Sequence, residues 1–123
     1  MSKKQKFIKS FGNALQGLKF LFKSELNARI ELAIAFVTII ISFLFRISHQ
    51  EWMVVLLCIA LVLGFEGINT AIEKLIDKLH PGIDPEIGKV KDIAAGAVLL
   101  AAIVAAIAGF IIFAPRFMDV FFG

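Results

Sequence analysis

Glu66, Asn69, Glu73 and Asp77 recur at spacings of three and four in the stretch GFEGINTAIEKLID. At 100° per residue they share a helix face about 80° wide, with Thr70 on its edge. The stretch begins as an unbroken apolar run, WMVVLLCIALVLGF (Trp52 to Phe65), ends. Carboxylates at the end of such a run are costly unless they are partnered, face a wet cavity or bind a cation. Interhelical hydrogen bonds would account for Asn69 and Thr70. They account poorly for acids on one face, which repel unless something positive lies between them. Asp77, furthest from the apolar run, can also simply reach water.

Two further polar sets lie at the same membrane level. Glu25 and Arg29 precede the first apolar run, and Lys89, Lys91 and Asp92 precede the last. Carboxylates from two helices can hold Mg²⁺, which usually takes one or two carboxylates together with substrate phosphates. A nearby lysine can neutralise phosphoryl oxygens, and a carboxylate can take the proton of an alcohol. These are the parts needed to move a phosphoryl group onto an alcohol at a membrane surface.

The elements that must hold these groups are helices. Residues of hydrophobic type make up 59% of the 123-residue chain and charged residues only 19%. One domain of this size cannot hide so much apolar surface from water, so much of its solvent is lipid. Residues 5–29 are expected to form an amphipathic surface helix. Phe7, Phe11, Leu15, Leu18 and Phe22 fall on one side, with Lys6, Lys9 and Lys23 opposite. That pattern suits the headgroup layer of an anionic bilayer and argues against nucleic acid as a partner. Transmembrane helices are expected over about 30–48, 52–79 and 92–113, with the Pro/Gly stretch HPGIDPEIG as a loop and Pro115 closing the third span. The fold class is therefore all-α, a surface helix followed by three spans in a single domain, 1–123.

Of 13 Lys and Arg, seven lie within the first 29 residues and four between Lys74 and Lys91, leaving only Arg46 and Arg116 elsewhere. Basic residues concentrate on the cytoplasmic side, so the N-terminus and the acid stripe are expected there. The N-terminus carries no early apolar core or small-residue cleavage site, so no cleavable signal is expected. Cys58 lies alone inside an apolar run and reads as packing. His49, His80 and one Cys make no zinc or haem pattern.

EGINTAIEKLID, followed by GKVKDIAAGAVLL, resembles the signature of the small bacterial integral-membrane lipid kinases, the prokaryotic diacylglycerol kinase and undecaprenol kinase family. SFGNALQGLKFLFKSELNARIE resembles the N-terminal region of that family, and the similarity runs from about Lys6 to Phe113. The chain has no Walker A motif and no kinase-type Gly-rich loop, as this family does not use them. The resemblance implies Glu66 as the general base for the lipid hydroxyl, with Asn69 shaping that centre. It implies Glu25 and Glu73 as ligands of the Mg²⁺ that accompanies ATP. Lys91 would lie at the phosphates, Asp92 would contact the nucleotide, and Gly88 would let the backbone approach it. Lys6 and Asp77 complete the implied nucleotide-binding set.

The resemblance also implies a homotrimer in the bacterial inner membrane, with active sites shared between subunits on the cytoplasmic side. The product would be phosphatidic acid from diacylglycerol, or undecaprenyl phosphate from undecaprenol. NTAIE and KDIAAGAV look closer to the undecaprenol kinase branch. Asn13, the Asp84–Pro85 segment and Ala95 depart from the best-known pattern, so nucleotide contacts at Asn13 and in the loop do not carry over. Two other readings compete. A small ion or proton pathway predicts acids spread through the bilayer depth, and a non-catalytic scaffold predicts no dependence on Mg²⁺.

Overall fold

The computed structural model describes residues 1–123, which form four helices: α1 (Lys3–Ser24), α2 (Leu26–Leu44), α3 (His49–Leu79) and α4 (Pro85–Phe122). The last three are long and apolar enough to cross a membrane. The all-α fold class, with an N-terminal helix ahead of three spans, is as expected.

Burial is inverted relative to a water-soluble domain. Only 11 of 123 residues are buried, while Phe36, Phe43, Leu100 and Phe110 stay exposed along the spans. Apolar side chains facing lipid lose nothing by exposure, so packing falls to small residues that let backbones approach. On α2 these are Ala28, Ala35 and Ser42, at intervals of seven, the buried residues of that helix. Ser42 stays compatible with an apolar contact because its hydroxyl donates to the Thr38 carbonyl oxygen at 2.7 Å. Helix α3 is the hub: α1, α2 and α4 all pack on it, whereas α4 packs on neither α1 nor α2. An open apolar groove of about 360 Å³ consequently runs along α3 between α2 and α4, from Glu31 to Phe113.

The helix ends differ from the expected ones, and caps explain the differences. The break between surface helix and first span falls at Glu25, which is extended (φ −114°, ψ 118°), and not near residue 29. Helix α3 starts at His49 because Ser48 and Glu51 form a capping box, so the short polar turn is only half outside the helix. Helix α4 starts at Pro85, behind the Asp84 side chain that accepts from the Glu86 N–H at 2.9 Å. It also passes through Pro115 to Phe122, beyond the expected end.

That extension is held at the far end of the bundle. Phe117 packs edge-on against Phe45 with ring centroids 5.0 Å apart. The Arg116 guanidinium forks onto the Glu51 carboxylate at 2.6 and 2.8 Å. A two-pronged, charge-assisted contact at three-quarters burial ties the start of α3 to α4. Arg116→Ala is expected to lower stability by about 2 kcal/mol, the scale of hydrogen bonds to charged groups. Unfolding in detergent micelles, with Glu51→Ala and the double variant completing a cycle, measures the pair directly. A coupling near zero would mean that the aromatic contacts alone hold the end of α4.

Candidate active site

Three of the four buried residues of α3 are polar: Glu66, Asn69 and Thr70. Glu66 is only 5% exposed, so at this end the helix turns its polar face inward, while Leu56, Leu57, Leu61 and Leu75 stay exposed. The 3.6-residue period produces this arrangement directly, since residues three and four apart share one face. Glu73 continues the face one turn on and accepts from the Asn69 side-chain N–H at 3.4 Å.

Facing this stripe are residues from the start of α2. Glu25 and Glu73 both lie within charge–charge reach of Glu66, and Glu31 reaches Glu66 from α2 in the same way. Four carboxylates from two helices thus converge on one end of the bundle. Their positive neighbour is Lys74, whose ammonium lies 3.5 Å from the Glu25 carboxylate and 5.2 Å over the Phe20 ring. Around them, Glu31 Oε2 and Asn69 Oδ1 are buried without a hydrogen-bond partner, and the Thr70 hydroxyl lies beside Glu66. Buried polar atoms are normally satisfied, so these oxygens are available to a polar ligand.

The expected site residues divide into two groups. Glu25, Glu66, Asn69 and Glu73 come together between α2 and α3. Asp77 and Lys91 instead pair with each other at 2.5 Å across the α3–α4 contact, with Asp77 exposed. Lys6 lies exposed on α1, and Asp92 is exposed on α4; neither makes an ion pair. Gly88 lies in the first turn of α4, and a Cβ there would meet only open space. The end of α4 itself is occupied by the capping Asp84 side chain.

Two members of the cluster were not legible as such. Glu31 reads in sequence as the polar boundary of a span, yet the fold turns its unpartnered oxygen toward Glu66 and the groove. Lys74 lies about 100° off the acid stripe on a helical wheel, and its long stem reaches sideways to Glu25. The available signal was local: an acid six residues beyond Glu25, and a lysine directly after Glu73.

No three His, Cys, Asp or Glu side chains close into an all-protein cage. Magnesium does not need one, because it usually takes one or two carboxylates and leaves its other positions to phosphate oxygens and water. Glu25 already meets the Lys74 ammonium, so a divalent cation arriving with phosphates would have to take that lysine's place at the Glu25 carboxylate.

The family model described as prokaryotic diacylglycerol kinase matches residues 12–113. The chain is similar to the undecaprenol kinase of Bacillus subtilis (strain 168), 36% identical over 111 residues that cover 90% of each protein. It is also similar to the diacylglycerol kinase of Synechocystis sp., at 34% over 89% of the chain and 63% of the relative. A third relative is the diacylglycerol kinase of Haemophilus influenzae, at 31% over 76% of the chain and 80% of that protein.

Proposed function

Since the chain belongs to the prokaryotic diacylglycerol kinase family and is a lipid kinase, we propose that it transfers the γ-phosphoryl group of ATP to undecaprenol in the bacterial cytoplasmic membrane. Family membership removes the ion-pathway and scaffold alternatives. The observation that carries the site is the buried Glu66, faced by Glu25 from the start of α2 and by Glu73 on its own helix.

Glu66 accepts the proton of the lipid hydroxyl as its oxygen attacks the γ-phosphorus of ATP, and the bond from that phosphorus to the bridging oxygen breaks to release ADP. Asn69, held through Glu73, presents its unpartnered Oδ1 beside that position and keeps the acceptor hydroxyl oriented. Glu25 and Glu73 are the carboxylates that would hold Mg²⁺. When bound, the ion would neutralise charge on the phosphates and on the leaving group. Lys91, released from Asp77, serves the phosphates from α4, and Gly88 leaves room for the nucleotide. Lys6, Asp77 and Asp92 line the approach. Positioning and charge neutralisation supply most of such a catalysis.

The acceptor assignment draws on the groove beside Glu31. Its walls are almost wholly apolar, and the Thr38 hydroxyl already donates to the Ile34 carbonyl oxygen at 2.8 Å. The groove thus has no strong hydrogen-bond donor to spare for ester carbonyls, which a polyprenyl chain lacks and diacylglycerol carries. The same groove, walled on two sides by helices that do not touch, suits a homotrimer in which neighbouring copies complete the site. The basic N-terminal segment and the Lys74–Lys91 region support ATP entry from the cytoplasmic side.

The test offers undecaprenol and diacylglycerol at equal mole fraction in bilayers with labelled ATP and Mg²⁺. Undecaprenol is expected to turn over at least about tenfold faster, the smallest preference a missing polar partner is expected to give. Preference for diacylglycerol would overturn the acceptor assignment. Phosphate on neither lipid would overturn the whole reading.

A further inference from the structure

The junction between α1 and α2 contains a single non-helical residue, Glu25, with no glycine or proline beside it. A helix normally leaves its last four carbonyl oxygens without partners and recruits a glycine-based turn or a basic side chain to satisfy them. In α1 the Leu21 carbonyl oxygen receives the Glu25 N–H at 3.0 Å. The next two are taken by one atom of α2. Arg29 Nη1 donates to the Lys23 carbonyl oxygen at 2.7 Å and to the Phe22 carbonyl oxygen at 3.2 Å.

This arrangement is not the Glu25–Arg29 pair that spacing suggests. The guanidinium turns away from the carboxylate four residues earlier and makes no ion pair with any acid. Instead it reaches back across the break and ties the end of α1 to the first turn of α2. The Glu25 side chain, at the apex of that tie, is left to lie against Lys74 of α3. Backbone angle at the apex and side-chain direction are therefore set by two different cations, one on each side of the break.

We infer that Arg29 is a positioning residue for the reaction: by capping the C-terminus of α1 it fixes the kink that aims the Glu25 carboxylate at Glu66 and Glu73. The inference rests on the proposed metal-binding role of Glu25 and adds the group that holds it in place. Without the cap, α1 is held only by its side-chain packing on α2 and α3, and the backbone at Glu25 loses the restraint that sets its distance to the α3 stripe. Because a single nitrogen makes both bonds, a lysine at this position recovers much of the function, whereas a side chain lacking a cationic tip does not.

The experiment counts Mn²⁺ bound together with a non-hydrolysable ATP analogue, from the loss of the free-ion electron paramagnetic resonance signal, on purified protein in lipid. Arg29→Ala, Arg29→Lys and Glu25→Gln are compared with the parent, and Arg29→Gln replaces the alanine variant should that one not fold. Arg29→Ala is expected to weaken Mn²⁺ about tenfold, the low end of what partners of metal ligands contribute, with Arg29→Lys much closer to the parent. Unchanged affinity in Arg29→Ala, beside a weakened Glu25→Gln, overturns the inference and leaves the metal assignment standing. Fewer Mn²⁺ sites at unchanged affinity also overturns it, because that is the mark of a purely structural cap. An unaffected Glu25→Gln removes the metal role of Glu25 and the inference with it.

Discussion

Glu66→Gln is expected to lower phosphate transfer by about a thousandfold, within the range contributed by a positioned general base, while the protein folds and binds nucleotide as before. The substitution keeps the volume and outline of the side chain and removes only its capacity to take a proton. It also leaves a neutral group where a carboxylate had been buried at 5% exposure among other acids. Burying a neutral amide costs less than burying a charge, so loss of activity through misfolding is not expected. Labelled-phosphate transfer to lipid, measured beside nucleotide binding on the same preparation, separates the two. A variant within tenfold of the parent would remove Glu66 from the proton transfer and turn attention to Glu31, the acid of this cluster whose buried oxygen has no partner.

The stripe on α3 was legible because it depends only on helical period: Glu66, Asn69 and Glu73 had to share a face once the segment was helical. The three spans were legible for a similarly local reason, the length of their apolar runs. Their ends are not, because side-chain capping decides where α3 and α4 start. Nothing in the sequence flags the break at Glu25, since it depends on Arg29 reaching across it. Pro115 stops no helix here, because Arg116 and Phe117 are held by Glu51 and Phe45 across the bundle. Glu31 and Lys74 illustrate the same limit. Their roles follow from how α2 and α1 lie against α3, and no period within a single helix encodes that.

The division of acids along α3 leads to the second large effect. Glu73 is half-buried and in contact with Asn69, whereas Asp77, one turn further, is exposed and paired with Lys91. Glu73→Gln retains an oxygen that can accept from Asn69, so the loss it causes measures the charge and not the hydrogen bond. Transfer at limiting Mg²⁺ is expected to fall by at least about a hundredfold, beyond the range of outer partners of a metal ion, and to recover in part as Mg²⁺ is raised. Asp77→Asn is expected to cost less than about fivefold, because an exposed pair is screened and contributes at most about 1 kcal/mol by itself. Rates followed across a Mg²⁺ series for both variants provide the comparison. Equal losses would extend the metal-dependent centre along α3 to the α4 contact and make the Asp77–Lys91 pair part of it. A Glu73→Gln loss that added Mg²⁺ does not relieve would remove Glu73 from the proposed ligands of the ion, leaving Glu25 as the remaining member of that pair.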